Sequence, residues 1–374
     1  MAKFFAAILT IVSISFAPIL IKANECFADD TIKLGVAGAL SGEIGKFGIP
    51  ILRAAELVVK EKNANGGVLG KKIELIAKDD KCKKELAPKI AKKLVSEGIH
   101  MVMGHMCTAA TWPVLDIYKN AKIVAMSPSA TDPRLTKSNY SNFFRTAAPD
   151  DIEAKLQVDL ALNKLGLRKI AVIHDKSDYG EVLAKYVNAY IKKDSRAKVV
   201  LSKGIAPGAK NYSTIINKIE STKADGVIYG GYYTEASKML TEMRKKNMKT
   251  FFISDNGVKD DDFIKIAGEY AEGVFVSGKR KYRNNTMARR VYKAYRELYG
   301  IKPGPFYINA CTATMILIAA VEHAGSTDYK TLTGVLHKES FETPMGEIRF
   351  DENGDAINVG YAMYEIKNGV FTEH

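Results

Sequence analysis

Residues 32–79 read IKLGVAGALSGEIGKFGIPILRAAELVVKEKNANGGVLGKKIELIAKD. The opening IKLGVAGA is an apolar run of strand length, and SGEIGKFGIP after it is a loop rich in glycine. From Ile51 to Asn63 the apolar residues Ala54, Ala55, Val58 and Val59 share one helical face. The turn ANGGVLGKK then leads to a second strand, IELIAKD from Ile73. A strand, a helix of this length and a second strand make a βαβ unit, whose two strands lie parallel.

The same alternation continues outward. A helix is expected from Leu86 to Glu97, a strand from His100, a helix from about Thr108 to Lys119, and a strand from Lys122. Asp150 followed by Glu153 has the spacing of a capping box and opens a new unit. Strands from Lys169, Gly226, Thr250 and Gly273, with helices at Gly180–Lys192 and Tyr212–Thr222, repeat the pattern. The fold class is therefore α/β, with two similar lobes, each a mainly parallel sheet flanked by helices. The remaining tail, with a helix from Arg289, an apolar helix at Cys311 and a final hairpin, is too short for a third domain. It is expected to complete both lobes through a hinge that the chain crosses more than once. The first lobe would hold 29–149 and about 279–353, the second 150–278 and about 354–374.

Lys3 and the apolar stretch Phe4–Ile21 read as an export leader, residues 1–28, with cleavage expected after Ala28. A membrane anchor needs roughly 17–25 apolar residues, so this stretch is only marginally long enough to remain as one. Export would place the chain in an oxidising compartment outside the cytoplasm. Cys82 and Cys107 each follow a strand near one sheet edge, and a bridge between them is expected. Cys311 reads as a core thiol, and no Cys/His spacing suggests a metal. The formal charge of +13 raises the question of nucleic acid. However, the lysines sit along helices, as at Lys83, Lys84, Lys89, Lys92 and Lys93, which describes a solvated surface. No nucleic acid partner is expected.

Open α/β sheets bind ligands at the carboxyl ends of their strands. Phe47, Thr108, Ser129, Thr131, Tyr179 and Tyr232 fall at such ends, and Asp255 and Asn256 follow the strand from Thr250. Thr108, opening a helix, offers a hydroxyl and amides to a carboxylate, and Asp255 or Asn256 suits an ammonium. Enzyme readings fare worse. GVAGALSG is not a dinucleotide loop, neither a phosphate loop nor GxSxG occurs, and His105 loses its neighbouring nucleophile if Cys107 is bridged. No catalytic residue and no cofactor is expected.

IKLGVAGALSG, GHMCTAATWPVLDIY, SPSATDPRLT, HDKSDYGE, YGGYYTE, AGEYAEG and TPMGEIRFDENGD, in this order, resemble the leucine/isoleucine/valine-binding proteins of branched-chain amino-acid ABC transporters. The resemblance covers essentially the whole mature chain and implies the type I periplasmic binding fold and a Cys82–Cys107 disulfide. It implies that Met106 and Thr108 hold the ligand, the latter at its carboxylate together with Thr131. Ser129 would offer a carbonyl to the ammonium, Tyr179 and Tyr232 would close over the ligand, and Phe47 and Phe306 would wall its side chain. The expected partners are a small amino-acid-like solute and membrane permease subunits, with the chain itself a monomer. The sequence departs from the family at SDNG, where Asn256 stands in place of a glutamate that pairs the ammonium. Either Asp255 takes that task, or the ligand is an amide, a urea-like solute or an acid without an amine. A sensor subunit of the same fold is the alternative to a transport component.

Overall fold

The computed structural model describes residues 31–374 apart from Lys281, Arg283 and Asn358. The expected leader, 1–28, and its cleavage site lie outside the described residues. The first sheet comprises β1 (Thr31–Gly38), β2 (Lys72–Asp79), β3 (Met101–Met103), β4 (Val124–Ser127) and β5 (Phe143–Arg145). Its order is β2-β1-β3-β4-β5, and every pairing is parallel. The second sheet begins with β6 (Lys169–His174), β7 (Lys198–Gly204), β8 (Gly226–Gly230), β9 (Phe251–Ser254) and β10 (Phe275–Lys279). A short hairpin of β11 (Phe341–Thr343) and β12 (Gly346–Ile348) stands apart. The final hairpin, β13 (Tyr361–Lys367) and β14 (Val370–Glu373), then adds antiparallel to β10, giving the order β14-β13-β10-β9-β8-β6-β7.

The two sheets are the floors of two lobes. The chain passes between them after β5, after β10 and after β12. The helices Thr286–Tyr299, Tyr307–Ala324 and Tyr329–Lys338 lie between the second and third passages, and their apolar residues join the core of the first sheet. Tyr307–Ala324 packs on the Gly45–Ala64 helix and on β3 and β4. That explains its apolar composition on nearly every face, since a helix covered on all sides needs no polar stripe. At the first passage Arg145 is fully buried, paired with Asp355 and donating to Thr136 Oγ1 at 2.9 Å and the Asp132 carbonyl at 2.8 Å. Asp355 belongs to the acidic turn after β12, so this pair ties the first passage to the third.

Three local expectations need correction. The first helix starts at Gly45, six residues earlier than Ile51, with Pro50 inside it. Proline lacks an N–H, so Pro50, the sixth helical residue, forgoes the bond to the Lys46 carbonyl, yet the φ of about −65° that its ring imposes suits a helix. Gly48 makes the extra turn possible, because a Cβ there would lie 1.8 Å from the Ala39 carbonyl oxygen. The helix expected at Thr108–Lys119 is split into Thr108–Thr111, a tighter turn at Trp112–Val114 and Leu115–Asn120. Pro113 lies inside the tighter turn and, having no N–H, cannot continue the α-helical bonding there. The capping box at Asp150 does not form. Pro149 is the cap residue, no side chain caps the helix Asp150–Asp159, and Glu153 is engaged elsewhere.

Candidate functional site

The carboxyl ends of the parallel strands of the two sheets face one cavity. It is lined by Ile44, Phe47, Met106, Cys107, Thr108, Ser129, Thr131, Tyr179, Tyr232, Asn256, Gly257 and Phe306. Nine of the residues singled out in the sequence therefore come together: Phe47, Met106, Thr108, Ser129, Thr131, Tyr179, Tyr232, Asn256 and Phe306.

The first lobe's wall is fixed by short-range chemistry. The added helical turn carries Phe47 into the cleft, where its ring lies 6.1 Å from that of Tyr232. Cys82 and Cys107 are bridged, with Cα atoms 5.5 Å apart. The bridge anchors the residue preceding Thr108, and Thr111 Oγ1 closes the turn by donating to the Cys107 carbonyl at 2.8 Å. Ser129 Oγ donates to the Met106 carbonyl at 2.7 Å, so its hydroxyl is committed to holding two cavity loops together. Thr131 accepts the Asp150 N–H on its own carbonyl at 2.9 Å. The Thr108 hydroxyl has no hydrogen bond to another described residue and is available to a ligand. Beneath these loops His105 is fully buried between Asp80, 2.6 Å from Nδ1, and the Tyr118 hydroxyl, 2.9 Å from Nε2. It is a core bracket rather than a cavity residue.

Phe306 enters from the third wall. It caps the Tyr307–Ala324 helix with φ 64°, a left-handed conformation that costs a non-glycine residue about 1–2 kcal/mol. Its ring underlies Lys279 Nζ at 4.3 Å. Burial pushes the Lys279 ammonium down to about 8.

Two buried carboxyls organise the second lobe's loops. Asp175 accepts from Ser177 N at 2.9 Å, Ser177 Oγ at 2.6 Å and Tyr232 N at 3.0 Å. It thus ties the end of β6 to the loop after β8 and sets Tyr232. Asp255 accepts from Gly231 N at 2.6 Å and Gly257 N at 2.8 Å. It is fully buried and bonded to the loops, so the structure does not bring it to the cavity as an ammonium partner. Burial, then the nearby Glu153, push its carboxyl well above the usual range. Gly257 leaves room for this junction, since a Cβ there would sit 2.4 Å from the Gly231 carbonyl oxygen. Tyr179 and Tyr232 lie 5.7 Å apart, and burial keeps both phenols well above their ordinary range and so neutral.

Glu153 is the residue that sequence reasoning missed as part of the site. Its Oε1 accepts from Asn256 N at 2.8 Å and Ser277 Oγ at 2.7 Å, and its Oε2 from Asn256 Nδ2 at 2.6 Å. Tyr179 Oη is 3.4 Å from the same Oε2 and accepts from Asn256 Nδ2 at 2.8 Å. Burial raises the Glu153 carboxyl, and the Ser277 and Asn256 hydrogen bonds hold it back. The only hint in the sequence was an acid three residues after Asp150, a spacing that equally describes a helix start.

Between the lobes, Lys46 of the first lies 3.0 Å from Asp260 Oδ1 and 2.9 Å from Asp262 Oδ2 of the second. Its ammonium also sits 3.3 Å from the centre of the Tyr233 ring. Next to Phe47 of the cavity wall, a cation from one lobe is thus held on two anions and an aromatic face of the other.

Residues 31–370 match the family described as periplasmic binding protein. The chain belongs to that family. Among its relatives is the Leu/Ile/Val-binding protein of Escherichia coli K12, 33% identical over 352 residues that cover 94% of this chain and 95% of that one. The leucine-, isoleucine-, valine-, threonine-, and alanine-binding protein of Pseudomonas aeruginosa is 30% identical over 92% of both chains. A solved leucine-binding protein of Thermotoga maritima superposes with a TM-score of 0.84 over 92% of this chain and 97% of its own, at 23% identity. The family's architecture, two lobes with a multi-crossing hinge, is the one described above. Its members are solute-binding proteins.

Proposed function

We propose that this chain is the extracytoplasmic solute-binding component of an ABC importer and takes an apolar or aromatic α-amino acid into the interlobe cavity. The observation that carries the reading is the cavity lining, which brings Thr108, Thr131 and Asn256 together with Phe47, Phe306, Tyr232 and Met106. The Thr108 hydroxyl and amide receive the ligand carboxylate with help from Thr131. The Ser129 carbonyl and Asn256 take the amino group, and the aromatic walls bury the side chain. The relatives named above support the amino-acid class.

Binding draws the second lobe onto the first, and the closed form is what a membrane permease recognises. In this reading residues 1–28 direct export to the periplasm, and the chain acts as a monomer. The first lobe takes 29–149 with about 279–353, and the second takes 150–278 with about 354–374. A neutral Asn256 in place of a carboxylate favours a second reading, an apolar acid that lacks the amine.

Calorimetry on ligand-stripped protein separates the two. Leucine, isoleucine, valine and phenylalanine are titrated beside their amides and their deaminated acids. Tight binding of an amino acid supports the first reading. Binding of the deaminated acids alone overturns it.

A further inference from the structure

We infer that Glu153, one layer behind the cavity, is the residue that makes the site select a ligand carrying an ammonium. The claim rests on the amino-acid reading above and adds a residue that none of the candidate ligand contacts included. Its basis is the orientation of one amide. Asn256 Nδ2 lies between Glu153 Oε2 at 2.6 Å and Tyr179 Oη at 2.8 Å. A carboxylate accepts and cannot donate, so it fixes which end of the amide faces it. The Asn256 carbonyl oxygen is left for the cavity, and it has no hydrogen bond to another described residue. The cavity therefore meets an acceptor, backed at hydrogen-bond distance by a carboxylate.

The neighbouring acids do not offer the same. Asp255 is bonded to two loop amides and is turned away from the cavity. Asp150 has no well-formed hydrogen bond on either oxygen, although the Thr131 hydroxyl lies near enough to moderate its burial. Glu153 receives three short hydrogen bonds, from Asn256 N, Ser277 Oγ and Asn256 Nδ2, so it is better supported as an anion than Asp150 or Asp255. Ser277 is itself supported by Gln157 Nε2, which donates to its Oγ at 2.9 Å. Lys279 contributes attraction to Glu153, yet its ammonium lies over the rings of Phe306 at 4.3 Å and Tyr361 at 5.4 Å. A ligand ammonium against Asn256 Oδ1 would gain both the direct hydrogen bond and the field of the anion behind it. A deaminated ligand would gain neither and would leave a buried acceptor unpaired. Glu153 is thus a positioning and specificity residue that acts through Asn256.

The test compares leucine with 4-methylpentanoate, its deaminated counterpart, on wild type, E153Q and the charge-relocating double variant E153Q/N256E. Thermal melts are run first to verify folding. In E153Q, leucine affinity should fall at least about thirty-fold, the lower end expected for losing one partner of a buried charge pair. Affinity for 4-methylpentanoate should stay within about threefold, less than 1 kcal/mol. E153Q/N256E, with the carboxylate moved to the cavity wall, should recover leucine binding. A merely structural role would weaken both ligands together and would not be rescued by moving the charge, so that result overturns the inference. Equal leucine affinity in wild type and E153Q overturns it too, and leaves the amino-acid reading intact. If wild type binds no amino acid at all, it is the amino-acid reading that falls.

Discussion

Replacing Lys46 by methionine keeps the aliphatic stem and removes a cation that bridges the two lobes to Asp260 and Asp262. Its side chain is 26% exposed and its partners 14% and 40%, so water screens the contacts only in part. Partial burial disfavours the Lys46 charge, but hydrogen bonds with Tyr233, Asp262 and Asp260 outweigh it and raise the ammonium above its ordinary value. Partly screened ion pairs contribute at most about 1 kcal/mol each. The aromatic face, 3.3 Å from the nitrogen, adds about 0.5–1 kcal/mol. The closed form should therefore lose about 1–3 kcal/mol relative to the open one, which is about a 5- to 150-fold change in their ratio. Because the ligand is held by both lobes, apparent affinity should fall by the same factor. Calorimetry gives that affinity, and energy transfer between dyes on the two lobes gives the distribution of open and closed forms. High salt supplies an independent arm. At 1 M the screening length is about 3 Å, so wild type should move toward the variant while the variant barely responds. An unchanged affinity in K46M, with the same lobe separation, would refute the latch.

Asp150 is fully buried and its carboxyl is pushed well above 3.8, by burial first and by Glu153 next. As pH rises past 3.8 the unfolded chain releases this proton first and the native chain keeps it, so stability falls with rising pH until the native group also ionises. D150N should accordingly raise the melting temperature at pH 7, by about 1–3 kcal/mol in stability, with the difference from wild type vanishing below about pH 4. Mutating Cys82 and Cys107 to alanine opens a cross-link spanning 25 residues, and thermal or denaturant unfolding should report a loss of about 3–4 kcal/mol. A reductant should lower the wild-type melting temperature and leave the double alanine variant unmoved.

How much was visible in the sequence follows from the range of each interaction. The parallel strands could be read because each is a short apolar run bounded by turn residues, and Thr31–Gly38 and Lys72–Asp79 sit where the pattern puts them. Thr108, Ser129, Tyr179 and Tyr232 could be named because strand ends converge in this fold. The strand Phe143–Arg145 was not foreseen, since three residues carry no period and this one is set by pairing with β4 and by the buried Arg145. Lys46 was hidden by Pro50, which marks a helix boundary in a sequence but here lies inside the helix. Glu153 was legible only as a helix start. Its real partners, Asn256 and Ser277, lie 103 and 124 residues away, and no local pattern joins them.

The helix that carries Glu153 begins directly after the first passage between the lobes, whereas Thr108 and Thr131 sit on the other lobe. The carboxylate of a zwitterion would consequently be read by the first jaw alone, and its ammonium by both, through Ser129 on that jaw and Asn256 on the other. Under the proposed function such a ligand is a tie-rod, and shutting the cleft requires a single molecule bearing both ends at the right separation. A fragment with only the carboxylate would occupy one jaw and leave the other free to swing. It would compete for the cleft while leaving the protein open, so the same geometry that admits a transported solute also defines its antagonists.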